Sequence, residues 1–107
     1  MNLEEIVKLA NNAGMAYVGA KKESERLELL KPTMRARAME AYDNGERTEA
    51  KIRRLAEVDS EYVQFIERLA AAKSESERTR IRYESFKNLF EARRSMLSYQ
   101  KAEMRIT

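Results

Sequence analysis

The sequence predicts an all-α protein, an elongated antiparallel helical hairpin whose two arms pack like a coiled coil. Its 107 residues include one proline and three glycines, and the helix formers Ala, Glu, Lys, Leu and Arg dominate. Apolar residues recur three or four positions apart along most of the chain, which is helical spacing. The strongest turn signal is "DNG" at 43–45, because Asn-Gly is a turn dipeptide and glycine often ends helices in the left-handed conformation. We therefore expect one helical domain over 1–107, with two arms joined at 43–45.

The first arm is predicted over residues 2–42. Asn2 followed by Glu5 resembles a capping box, in which both side chains satisfy free backbone N–H groups at the helix start. Pro32 is expected to break or kink the helix, because proline lacks a backbone N–H and clashes with the preceding turn. This arm also holds two glycines, Gly14 and Gly19. They weaken the helix, or they let another helix approach closely.

The second arm is predicted over residues 46–104 and contains neither glycine nor proline. Its apolar residues keep helical spacing over most of its length. Weak helix-start signals predict breaks near 59 and 74: Asp59 with Ser60, and Ser74 with Glu77. Residues 73–80 ("KSESERTR") contain no apolar side chain, so the sequence leaves open whether they form helix or turn.

The two predicted arms differ in length. The second arm overhangs the first unless it breaks and folds back. In either case apolar surface stays uncovered, and association of several copies is a natural way to cover it. We therefore expect a homo-oligomer.

The residue types present argue against most catalytic chemistry. The chain has no cysteine, hence no disulfide or thiolate, and no histidine, the commonest general base and metal ligand. No base lies in a pattern that would activate a serine or threonine, and there is no glycine-rich phosphate loop. Acidic residues alternate with Lys and Arg at helical spacing, as in Glu49 with Arg53, which is typical of a solvated salt-bridge face. We predict no catalytic residue, no metal and no cofactor; an enzyme would need a Tyr–Lys or carboxylate site that no motif indicates.

The sequence also predicts a cytoplasmic protein without a membrane segment. The first residues, "MNLEEIVKL", carry two acids before any long apolar run, unlike a secretory signal. No apolar run approaches the roughly 20 residues that a membrane span needs.

The last third of the chain carries the basic excess. Residues 78–107 contain eight basic and three acidic residues, which gives a net charge of +5. Cations at helical spacing can bind the phosphates of nucleic acid. The candidate residues for binding nucleic acid or another partner are Arg78, Arg82, Arg93, Arg94, Lys101 and Arg105.

Three aromatic residues lie among these cations at three- and four-residue spacing: Tyr83, Phe86 and Phe90. The spacing favours a buried stripe, covered at its edges by the aliphatic parts of the arginines. The alternative is that the aromatic rings stack on the bases of single-stranded nucleic acid. In either case the arginine head groups remain able to bind a partner.

Three features of the second arm form a recurring pattern. They are Glu61-Tyr62, an aliphatic-alanine segment after it, and a C-terminal "FEARRS" at 90–95 followed by "AEM" at 102–104. With this pattern, residues 47–106 resemble small helical proteins encoded in the early regions of tailed bacteriophages and prophages. The resemblance implies an accessory role in DNA recombination or replication within the host cell cytoplasm, and it implies no catalytic residue.

The leading hypothesis is a non-enzymatic phage or prophage accessory protein. It would bind DNA, or a DNA-processing protein, through its basic C-terminal helix. The alternative is a protein-interaction module, either a scaffold or an inhibitor of a host defence complex, whose exposed apolar residues dock into a groove of the partner. Salt separates the two hypotheses, because phosphate contacts weaken steeply as salt rises.

Overall fold

The structure, a computed structural model, describes residues 1–106 and contains three helices. These are α1 (Leu3–Tyr42), α2 (Glu49–Glu57) and α3 (Ser60–Ile106). Over the described residues there is no strand. The prediction of an all-α fold is confirmed.

The predicted cap by Asn2 at the start of α1 is confirmed, whereas the Glu5 carboxylate contacts the Asn2 side chain and not its backbone N–H. The Asn2 side-chain oxygen Oδ1 accepts a hydrogen bond of 2.8 Å from the backbone N–H of Glu5. The Asn2 amide nitrogen Nδ2 donates a longer bond, 3.4 Å, to the Glu5 carboxylate. Two acids in the first turn, Glu4 and Glu5, also favour this end of the helix electrostatically.

The predicted break at Pro32 is wrong, because α1 runs through Pro32 without interruption. A proline inside a helix removes one backbone hydrogen bond and costs about 3 kcal/mol. Leu27 before it and Ala38 after it are both buried within hydrophobic clusters shared with the returning arm. This packing keeps both sides of the proline helical. Pro32 itself is exposed, so water can reach the carbonyl group left without a helical donor.

The turn after α1 is longer than predicted and covers 43–48 rather than 43–45. Gly45 has the expected left-handed backbone, with φ of 82°. Asn44 extends the turn, since its Oδ1 accepts hydrogen bonds of 3.0 Å from the two backbone N–H groups that follow Gly45. Such side-chain bonds give the backbone an alternative to helix, so α2 starts only after Thr48.

The predicted break near 59 is confirmed, and Asp59 forms it. The carboxylate oxygen Oδ2 accepts a hydrogen bond of 3.1 Å from the backbone N–H of Tyr62, which caps the start of α3. The other oxygen, Oδ1, accepts a bond of 2.8 Å from the hydroxyl of Tyr42, the last residue of α1. The Asp59 carboxylate therefore caps the start of α3 and accepts a hydrogen bond from the last residue of α1.

The predicted break near 74 is wrong, because α3 is one continuous helix. The open question about 73–80 is answered in favour of helix. Charged pairs support this apolar-free stretch: the Arg80 guanidinium lies 2.6 Å from the Glu77 carboxylate and 3.0 Å from that of Glu84. Pairs at these spacings stabilise helices. Thr79 also buries its side chain and donates a hydrogen bond to a backbone oxygen of the preceding turn.

The structure divides into two compact units, each formed by part of α1 and part of the returning arm. One contains Met1–Ala20 and the chain from Ser76 onward, and the other is Lys21–Glu75. The prediction of a single domain over 1–107 stays a prediction.

In the unit Lys21–Glu75, α1 packs antiparallel against α2 and the start of α3. One hydrophobic cluster has Leu27, Phe65 and Leu69 at its centre. The other combines two alanines with an aromatic residue: Ala38, Ala56 and Tyr62. Ion pairs between the arms follow the same register, with Lys73 2.9 Å from Glu28 and Arg35 3.7 Å from Glu57.

In the other unit, the first half of α1 packs antiparallel against the second half of α3. Ile6 and Ala13 are buried there. The rings of Tyr17 and Tyr83 stack with centroids 6.3 Å apart. A Cβ atom added at Gly14 would lie 3.0 Å from the ring of Tyr83, so this glycine permits the close approach considered from the sequence. Gly19 has no atom within 4 Å of such a Cβ and has no such role.

A matched pair of leucines on α1 tests the core of the unit Lys21–Glu75. Leu27→Ala removes a buried side chain and should lower the free energy of unfolding by about 2–5 kcal/mol. Leu29, two residues along and 80% exposed, is the control, and Leu29→Ala should change it by less than about 0.5 kcal/mol. Urea unfolding followed by circular dichroism measures both values. Equal losses would contradict the assignment of Leu27 to the core.

The two helical glycines provide a second test. Gly19→Ala should raise the free energy of unfolding by about 0.5–1 kcal/mol, because alanine is the better helix former and the added methyl group meets open space. Gly14→Ala gains the same propensity but forces the Tyr83 ring to shift, so it should be less stable than Gly19→Ala. Chemical denaturation of the two variants side by side gives the difference. An equal gain at both positions would show that the contact with Tyr83 is not tight.

The pH dependence of stability tests the role of Asp59. The Tyr42 hydroxyl, and after it the Tyr62 N–H, donate hydrogen bonds to the carboxylate and hold the pKa of Asp59 below its ordinary value. The stabilisation is therefore complete above the unfolded pKa of about 3.9 and is lost as pH falls through the lower folded pKa. We expect the thermal midpoint of the wild type to exceed that of Asp59→Asn at neutral pH. The advantage should shrink in acid.

Tyr42→Phe is the matched control for this experiment. It removes the largest cause of the lowered pKa but leaves the carboxylate and the Tyr62 cap in place. When the pH is lowered, the thermal midpoint of Tyr42→Phe should decrease by less than that of the wild type and by more than that of Asp59→Asn. If all three proteins showed the same profile, Asp59 would not be the group that titrates.

Candidate partner-binding surface of α3

The last part of α3 extends beyond α1. Val7 and Ala10 of α1 line one groove with Phe90 of α3. Because the helices are antiparallel, each step back along α1 is a step forward along α3, so Leu3 lies level with the turn that follows Phe90. About three turns of α3 therefore extend past the start of α1. Every residue from 91 to 106, here called the C-terminal segment, is exposed.

Four of the six predicted binding residues belong to this segment: Arg93, Arg94, Lys101 and Arg105. Three of them share one side of the helix, since they lie seven and four residues apart. We call these three the basic ridge: Arg94, Lys101 and Arg105. The carboxylate of Glu91 lies 3.9 Å from the guanidinium of Arg94, with both side chains 66% exposed. An exposed pair at this distance holds its cation weakly, so the guanidinium of Arg94 stays accessible.

The other two predicted residues lie before the C-terminal segment and already interact within the chain. The Arg82 guanidinium carbon lies 5.8 Å from the centre of the Phe86 ring, a cation–π contact. Arg78 also has an interaction within the chain. The structure therefore does not bring all six predicted residues together. The other four lie in the C-terminal segment, three of them on the basic ridge and Arg93 off it.

Arg80, which the sequence did not single out, lies near these residues but is held by acids. Hydrogen bonds from its guanidinium to Glu77, and after it to Glu84, raise the pKa of Arg80. The same contact lowers the pKa of Glu77. Arg80 is thus part of an ion-pair network along α3 and adds little to the basic surface.

The three aromatic residues among the cations are half-buried. Tyr83 stacks on Tyr17, and the Lys87 ammonium nitrogen lies 5.0 Å from the centre of the Tyr83 ring. Phe86 is covered by Arg82 and Phe90 lines the groove with α1. These contacts support the prediction of a packed stripe with cations at its edge. They leave the Tyr83 ring poorly placed to stack on a base.

Sequence reasoning gave less weight to the apolar residues that the C-terminal segment exposes. The large ones are Met96 (54% exposed), Leu97 (46%), Tyr99 (66%), Met104 (79%) and Ile106 (86%). Large contiguous apolar patches are typical of interaction surfaces, so these residues are candidates for one. The signal that could have found them is the length difference between the arms, because α1 is too short to cover this part of α3.

No metal site and no membrane span is found over residues 1–106. Within that range, no group of three or more Asp or Glu side chains is placed to hold a metal ion. Nor is any helix of the described chain both long and apolar enough to cross a membrane.

Comparison with protein-family models, with curated proteins and with solved structures finds no match for this chain. The resemblance of residues 47–106 to early-region phage proteins therefore stays a prediction.

Proposed function

We propose that this is a non-enzymatic protein that binds the phosphate backbone of nucleic acid through the basic ridge. The observation that carries the proposal is the position of Arg94, Lys101 and Arg105 on one side of a helix segment that is exposed throughout. Phosphate binding requires closely spaced, accessible cations and no particular fold. The remaining ion pair on the ridge, with Glu91, is loose enough for a phosphate to displace it.

The expected binding mode is independent of base sequence. The ridge offers charge, while Tyr83, Phe86 and Phe90 are packed against α1 or against cations of α3. The exposed ring of Tyr99 lies on the side of α3 away from the ridge. Single- and double-stranded DNA should therefore bind similarly, and the affinity should depend on salt. The phage or prophage setting, the cytoplasmic location and an accessory role in recombination or replication remain part of the proposal, supported by the resemblance of the second arm.

A second candidate is a protein-interaction module, a scaffold or an inhibitor of a host defence complex. Exposed Leu97 and Met104, which lie beside the basic ridge on the helix surface, favour it. Apolar anchors at helical spacing can enter a groove of a partner protein. Such a complex would survive high salt, unlike a complex held by phosphate contacts.

Fluorescence anisotropy with labelled single- and double-stranded DNA tests the nucleic-acid proposal. For a fourfold rise in salt, three phosphate contacts predict a roughly 40-fold loss of affinity for double-stranded DNA and a roughly 20-fold loss for single-stranded DNA. The combined variant Arg94→Glu, Lys101→Glu and Arg105→Glu should abolish binding even at low salt. The control reverses three exposed cations of α1: Lys8→Glu, Lys22→Glu and Arg37→Glu.

The control has the same net charge as the ridge variant, so a general charge effect would weaken both proteins equally. Binding lost only in the ridge variant supports the proposal. Unchanged affinity of the ridge variant, or no binding of the wild type at low salt, would overturn it. In the second case the protein-interaction candidate takes its place.

A further inference from the structure

The side of α3 opposite the basic ridge carries a second pattern. Its apolar residues lie three, four, three and seven positions apart, which is the spacing of a coiled-coil contact line with one position not apolar. We call this line the apolar seam: Leu89, Ala92, Met96, Tyr99 and Ile106. All five side chains are exposed in the folded chain, Leu89 by 40% even though it lies level with α1. The seam is therefore surface that α1 does not cover.

We propose that the apolar seam binds the same seam of a second copy of this chain, with the two α3 helices antiparallel. A seam of 18 residues with apolar residues at both alternating positions matches the core of a short two-stranded coiled coil. Two-fold symmetry lets one surface serve both partners, so no other protein is needed to cover it. The proposal does not rest on DNA binding, because the seam and the basic ridge lie on opposite sides of the helix.

One residue of the seam decides the orientation. Glu103 occupies the position between Tyr99 and Ile106 where the spacing calls for an apolar residue. In a parallel, in-register pair the two Glu103 carboxylates would face each other in the contact line, and like charges there are unfavourable. An antiparallel pair places Glu103 opposite Ala92 of the second copy, beside its Arg93. Each dimer then gains two Glu103–Arg93 pairs of opposite charge.

The flanks of the seam support a second copy over a strongly charged partner. Next to the contact line lie small or neutral side chains on one side, Asn88, Ser95 and Ala102. On the other side lie Arg93 and Gln100, and the antiparallel arrangement supplies an acid for Arg93. The cations of the basic ridge point away from the seam, so dimerisation brings no positive charges of the ridge together. The dimer would carry two ridges on its outer surface.

Sedimentation equilibrium of the full chain over a wide concentration range tests the proposal. We expect the mass to rise to twice the chain mass. Met96→Asp places a charge in the seam and should return the mass to that of one chain. Leu97→Asp is the matched control, because Leu97 is the next residue, is similarly exposed and lies off the seam. Circular dichroism verifies that both variants stay helical.

Cysteine cross-linking determines the orientation, since the natural chain has no cysteine. An antiparallel dimer places Leu89 of one copy near Ile106 of the other. A mixture of Leu89→Cys and Ile106→Cys proteins should therefore form a mixed disulfide dimer, while neither variant should cross-link with itself. A parallel dimer gives the reverse result. Charge exchange adds a second readout: Arg93→Glu or Glu103→Arg alone should weaken the dimer, and the two together should restore it.

Each experimental result bears on the dimer, on its orientation or on the proposed function. A monomer at every concentration overturns the proposal, as does a dimer that survives Met96→Asp or is lost equally in Leu97→Asp. Self-cross-linking of Leu89→Cys overturns the antiparallel arrangement. Loss of DNA binding in the ridge variant with the dimer intact would show that the two surfaces act separately. A dimer that binds no DNA would overturn the proposed function alone.

Discussion

The carboxylate of Asp59 is the contact on which the hairpin of the unit Lys21–Glu75 depends. It accepts one hydrogen bond from the last residue of α1 and another from the first turn of α3. This fixes where α3 begins relative to the end of α1, so the register at which Phe65 and Leu69 of α3 meet Leu27 follows from it. A slip of one helical residue would rotate the buried positions by about 100° and leave Leu27 and Phe65 without contacts.

Local chemistry predicted the ends of the helices well and their interiors less well. Asn2, Gly45 and Asp59 act where their side chains or backbone freedom indicated, because caps and turns are decided within a few residues. Pro32 and Ser74 misled because each gives a local preference for ending a helix that other contacts outweigh. Around Pro32 these contacts are with the returning arm, and a helix-stop signal cannot reveal them. After Ser74 they are ion pairs three and four residues apart along α3.

In the candidate site, too, some features could be predicted from the sequence and others could not. The sequence identified the cations of the C-terminal segment, since charge and spacing are visible in the residues themselves. It predicted that the second arm overhangs the first or folds back, but it could not show which of the two occurs, nor that Arg82 covers Phe86. It therefore placed all six cations in one set. The structure divides them into two that interact within the chain and four on an exposed segment, and it reveals an apolar side opposite the basic one.

The exposed end of α3 also has a dynamic consequence. A helix segment with no buried face is held only by its own backbone hydrogen bonds, and such segments open at low cost. Amide hydrogens there should exchange with solvent faster than those around Leu69, which lies in a packed cluster. A partner that binds this segment must supply the free energy to hold it helical. Part of the binding free energy then offsets the conformational entropy that the segment loses when it becomes ordered. This favours reversible binding with fast release over a permanent complex.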